Sequence, residues 1–281
     1  MHEEVKRLGS LAAAPELYPE LVRLGAAPSL LALLTHDNAD IAAEGALLLR
    51  ELTDADAAAE SDAALAGAAA LAEALCAGAQ AGGDDAEEAE ACAGLAALVS
   101  ALGRFDETQP EEAAAVHSLL AVFENLVEIS PLLRDRLLAP AAGLLAWLLR
   151  RVTALGGRVD ANRVYAAELL AVLTAGGDAA ARRLGEAGGI DALLRAIAPF
   201  KGGKKGKERP KEGAEADMEA EFVENCFDAL CSAMLLDDNK VRTRQGCLCL
   251  CFCYARGSSL THLPDFSAFR HADDVCCGRG R

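Results

Sequence analysis

Acidic and amide side chains recur along this chain at spacings that could grip a cationic, extended peptide. Glu44 and Glu51 come first, then Glu124, Asn125 and Glu128, then Glu168, and finally Glu224, Asn225 and Asp228. Each group falls in a stretch whose apolar residues repeat with helical period, which puts each on a helix. A carboxylate takes the head of Lys or Arg in a charge-assisted hydrogen bond, and an Asn can clamp a peptide backbone because it donates and accepts at once. The rival reading is a set of solvated helix faces. The residues alone leave both open.

Catalysis would need a nucleophile, an acid–base pair, a phosphate loop or a metal cluster at workable spacing. The chain contains no G-x-x-x-x-G-K-[ST], no G-x-S-x-G and no H-E-x-x-H. His36 falls in a turn and His117 near the start of a long helix, where a satisfied polar contact is the plainer role. The expectation is a binding protein with no catalytic residue, no metal and no cofactor. One basic run stands apart: Lys201, Lys204, Lys205, Lys207, Arg209 and Lys211, separated mainly by glycines. It follows no strand, so it is not read as a nucleotide loop. It reads as a solvated loop, as a nuclear-localisation signal, or as a segment that masks an acidic groove.

Composition narrows the partner. The 281 residues carry a formal net charge of −16, which argues against direct nucleic-acid binding, a contact driven by Lys and Arg on phosphates. Such a surface attracts basic partners instead. The first residues hold acids and no apolar signal run, so export is not expected. The longest apolar stretch, residues 137–149, falls short of the roughly 20 residues of a membrane span and contains Pro140 and Gly143. Of ten cysteines, Cys76, Cys92, Cys226 and Cys231 sit in apolar helical patterns and read as reduced core residues. The other six follow Thr243, as an alternating run from Cys247 to Cys253 and an adjacent pair, Cys276-Cys277, neither of which has the two-pair arrangement of a structural zinc site. A ligand set of Cys253, His262, His271 and Cys276 is the weaker alternative to a poorly ordered terminus.

The positioning elements follow from the apolar spacing. With 52% apolar but only 4% aromatic residues, the core must be built from Leu, Ala and Val, which suits closely packed helices. Residues 21–34 read as two short helices broken at Gly25, and residues 41–52 as a third, longer helix capped by Asp40. The order of a break and then a long helix returns at 94–128, at 143–173, and at 182–236. A short, a medium and a long helix with a glycine turn make an armadillo-type unit, which must stack on its neighbours to bury its apolar faces. The reading is therefore all-α: an armadillo-like helical repeat superhelix, an α-solenoid of about four units with a divergent tail. Residues 1–20 form a helical cap and 21–242 the repeats. Residues 57–90 read as an Ala-rich, partly helical insert with an acidic loop near 80–90, and 201–217 as a basic loop. Residues 243–281 read as a disordered Cys-rich tail. Oligomeric state is open.

Colinear motifs carry a resemblance. Glu16-Leu-Tyr-Pro-Glu-Leu-Val-Arg-Leu24, Arg104-Phe-Asp-Glu-Thr108, Val122-Phe-Glu-Asn125, Asp160-Ala-Asn-Arg-Val-Tyr165, Leu184-Gly-Glu-Ala-Gly-Gly-Ile-Asp191 and Glu224-Asn-Cys-Phe-Asp228 follow in order. Across residues 15–242 they resemble the beta-catenin-like armadillo family. The resemblance implies a nuclear protein of the spliceosome-associated nineteen complex that takes part in pre-mRNA splicing by binding the basic, nuclear-localisation-type segments of splicing factors. It also implies an N-terminal extension that this chain lacks and further repeats after Arg242, so the chain reads as a shortened product. An armadillo adaptor for nuclear transport or other protein–protein assembly is the alternative.

Overall fold

The computed structural model describes residues 2–77, 92–154, 158–200 and 213–243. The acidic loop near 80–90, Lys201 to Lys211 of the basic run and the tail from 244 onward lie outside the described residues. The described residues are helical, without strands. Four units of three helices follow one another. The first holds α2 (Tyr18–Arg23), α3 (Ala26–Leu33) and α4 (Ala39–Leu52), preceded by α1 (His2–Gly9). A short α5 (Ala55–Ala58) leads to the second: α6 (Asp62–Ala77), α7 (Ala93–Leu102) and α8 (Pro110–Ile129). The third has α9 (Arg134–Leu137), α10 (Leu144–Val152) and α11 (Ala161–Thr174). The fourth has α12 (Asp178–Glu186), α13 (Gly189–Ile197) and α14 (Ala214–Met234), and α15 (Asp237–Thr243) follows.

Local chemistry sets the corners. Gly25, Gly143 and Gly188 sit at φ of 73°, 76° and 71°, each immediately before the second helix of its unit. A side chain there would meet its own backbone, so glycine permits the sharp turn. Two of the long helices, α4 and α11, start on side-chain caps: Asn38 Oδ1 accepts from the amide of Asp40 at 2.8 Å, and Asp160 Oδ1 from that of Arg163 at 2.9 Å. Asn38, not Asp40, is thus the cap of α4, because the helix begins two residues earlier than its apolar period suggests. Likewise α14 begins at Ala214 rather than Met218, so residues 214–217 are helix and not loop.

The long helices form a ladder in which α4 packs on α8, α8 on α11, and α11 on α14. One apolar core runs from Tyr18 to Ala233, with Leu119, Phe123, Leu126, Leu169, Leu170 and Phe222 fully buried. Cys76, Cys92 and Cys226 belong to it, while Cys231 is half-buried. Burial pushes the thiols of Cys76 and Cys226 up to about 12, which leaves them protonated and inert.

The helical part of the Ala-rich stretch is α6, which takes the first place in the second unit. Small side chains let α6 come close to α2 and to the 3₁₀ turn Pro15–Leu17. A Cβ added at Gly67 would lie 2.0 Å from the Pro15 carbonyl oxygen. Helix propensity alone gives Gly67→Ala a gain of roughly 0.5–1 kcal/mol. The contact instead forces backbones apart, and a net loss of about 2 kcal/mol is expected in urea unfolding.

Candidate functional site

A groove of about 370 Å³ opens along the ladder where α8, α11 and α14 meet. From α8 come His117 and Glu124; from α11, Ala161, Val164, Tyr165 and Glu168; from α14, Met218 and Glu221. The i, i+3 and i+4 spacing within α11 stacks Ala161, Val164, Tyr165 and Glu168 on one face. Glu124 and Glu168 therefore come together, joined by Glu221.

Hydrogen bonds fix this arrangement. The Tyr165 hydroxyl donates to Glu124 Oε2 at 2.5 Å. The His117 ring lies 4.8 Å from the Tyr165 ring at a 51° tilt. His117 Nδ1 is 3.3 Å from Asn162 Oδ1. Because Asn162 Nδ2 already donates to Glu107 Oε2 and to the Ala113 carbonyl, both at 2.9 Å, its Oδ1 is the acceptor and Nδ1 of His117 carries the proton. Asn162 thus binds the first turn of α11 to α8. Arg151 continues the network, reaching Glu107 Oε2 at 2.9 Å and Asp160 Oδ1 at 2.8 Å. Next to Asn162, Arg163 is 5% exposed; it donates to the Val152 carbonyl at the end of α10 and lies 4.7 Å over the Phe222 ring of α14. The groove's walls are held by buried polar contacts behind them.

The groove is acidic, with Glu124, Glu168 and Glu221 in its lining. Burial raises the pKa of the Glu168 carboxyl, and the charges of Glu124 and Glu221 raise it further. Burial, followed by the bond to Glu124, likewise raises that of Tyr165; the charge of Arg50 on α4 opposes this. No basic side chain forms an ion pair with Glu124, Glu168 or Glu221 among the described residues. No group of three or more His, Cys, Asp or Glu is placed to hold a metal ion among those residues.

The remaining acids and amides scatter along the same ladder. Glu44 is half-buried on α4, and the carboxylate of Glu51 lies against Gly9 of α1, 2.8 Å from where a Cβ would stand. Asn125 is turned inward, its Nδ2 3.5 Å from Thr53 Oγ1. Glu128 is exposed near the end of α8. On α14, Glu224 and Asp228 lie one and two turns beyond Glu221, exposed; burial and then Glu224 raise the pKa of Asp228. Asn225 is half-buried. Sequence reasoning missed Tyr165, Met218, Glu221 and the lining role of His117. Tyr165 and Glu221 each lie three residues before a chosen acid, so helical spacing was the available signal.

Comparison with known proteins gives a consistent family. A family model described as "Catenin-beta-like, Arm-motif containing nuclear" matches residues 1–256, reaching past Arg242. Beta-catenin-like protein 1 of Rattus norvegicus is 38% identical over 246 residues, covering 88% of this chain and 38% of that protein. The beta-catenin-like protein 1 homolog of Schizosaccharomyces pombe is 30% identical over 230 residues, covering 82% and 35%. The chain thus spans less than two fifths of the length of these curated relatives. A designed armadillo repeat protein of solved structure aligns over 83% of this chain and 92% of its own, at 19% identity and a TM-score of 0.37.

Proposed function

We propose, since this chain belongs to the catenin-beta-like, Arm-motif-containing nuclear family, that it is a non-enzymatic nuclear scaffold whose long-helix groove holds basic, nuclear-localisation-type segments of splicing factors. The observation that carries the reading is the meeting of Glu124, Glu168 and Glu221, from three successive stacked helices, in one groove without a paired cation among the described residues. Burial, then the charges of Glu124 and Glu221, disfavour the ionised form of Glu168, and a bound cation would relieve that cost. The net charge of −16 works in the same direction over longer range, steering basic segments inward and phosphate backbones away. The family resemblance supports extending the proposal to a place in the spliceosome-associated nineteen complex.

The test is a titration of a fluorescent Lys/Arg-rich splicing-factor segment into the purified chain at about 50 and 300 mM salt. The expected result is saturable binding that weakens severalfold as screening rises. Absence of saturable binding at low salt, or binding indifferent to salt, contradicts the reading.

A further inference from the structure

We infer that the groove between α8, α11 and α14 selects arginine over lysine, seating one guanidinium against the Tyr165 ring with Glu124, Glu168 and Glu221 around it; the inference rests on the groove reading above. The lining is not simply acidic. An aromatic pair, His117 and Tyr165, forms one side, and Val164 and Met218 give it apolar walls. Val164 is buried and Tyr165 half-buried, so a head group entering here gives up part of its water.

Those features separate the two cations. An ammonium is a compact, strongly hydrated charge that loses solvation beside apolar walls and has no plane with which to stack. A guanidinium is weakly hydrated, stays charged when desolvated, stacks on aromatic rings and offers five coplanar N–H donors. Carboxylates from three different helices suit a planar donor set reaching several ways at once better than a point charge. The bond from the Tyr165 hydroxyl to Glu124 holds the ring and one carboxylate in fixed relation, so the stacking surface and an acceptor are positioned together before any ligand arrives. The volume of about 370 Å³ suits one long side chain, not a folded segment. Burial also lifts the Glu168 pKa, as expected where charge is short of water.

The test uses two fluorescein-labelled peptides of equal length, one with four arginines and one with four lysines in the same Gly-Ser frame, titrated into the full chain. Native protein should bind the arginine peptide about tenfold tighter. Tyr165→Leu should bring the ratio close to one, and Tyr165→Phe, which keeps the ring but loses the bond to Glu124, should retain a preference for arginine. Equal affinities in the native protein overturn the arginine preference and leave basic-peptide binding standing. Binding of neither peptide overturns the groove reading and this inference with it. The native comparison needs no variant, so it decides even if Tyr165→Leu fails to fold.

Discussion

Changing Glu124, Glu168 and Glu221 together to glutamine is expected to weaken binding of a basic peptide about 100-fold at low salt. Each carboxylate supplies a charge-assisted contact at a partly dry site, on the order of 1 kcal/mol apiece once screening is allowed for, and three such contacts compound to that factor. Glutamine keeps the shape and an acceptor oxygen, so the loss reports charge. The same variant is expected to melt higher than the parent at neutral pH. The folded-state pKa of Glu168 lies above its ordinary value, first through burial and then through Glu124 and Glu221. A group raised in this way favours the fold below its unfolded pKa, and that contribution disappears as pH rises through its folded pKa. At neutral pH ionised Glu168 therefore opposes folding, and acidification through the carboxylate range relieves it; glutamine at 168 removes this dependence. Unchanged peptide affinity in a folded variant would show that the acids are only a solvated face.

The second large effect falls behind the groove. Asn162→Leu is expected to cost about 3 kcal/mol of stability. The side chain is 6% exposed and makes three polar contacts, to Glu107, the Ala113 carbonyl and His117. Leucine has similar volume but satisfies none of them, which leaves buried acceptors unpaired and Glu107 held by Arg151 alone among its side-chain partners. His117 loses the acceptor that fixes its tautomer, so the groove wall loosens as well. A urea midpoint unchanged from the parent would contradict this account of the network. Asn239 offers a parallel at the other end of α14: fully buried, it donates to the carbonyls of Ala181 and Ala233 at 2.8 and 2.9 Å.

What could be read from the residues divides along physical lines. Turn chemistry is local, so Gly25 and Gly188 announced their corners and Pro110 its helix start. The long helices α4, α8 and α11 were legible because their apolar periods are strong. The role of α6 was not: Ala and Gly give little periodic signal, and its reason for being so small is the Pro15 carbonyl some fifty residues earlier in the chain. The groove was half legible. Glu124 and Glu168 stand on helices whose faces the period fixes, but Glu221 joins them only through the way α14 lies on α11. Glu51 shows the converse, an acid on the right helix that faces α1. Tyr165 gives no site signal of its own, because a lone aromatic on a helix is usually packing. Its hydroxyl, committed to Glu124, makes it part of the site.

The most direct measurement is zero-length carbodiimide coupling of a lysine-containing basic peptide to the native chain, followed by mass-spectrometric mapping of the joined residues. A lysine amine held in the groove sits close to the carboxylates of Glu124, Glu168 and Glu221, so amide links should concentrate there and vanish at high salt or in the triple glutamine variant. Links spread evenly over exposed acids such as Glu51, Glu128 and Asp228, with Glu168 and Glu221 no richer than the rest, would contradict the groove.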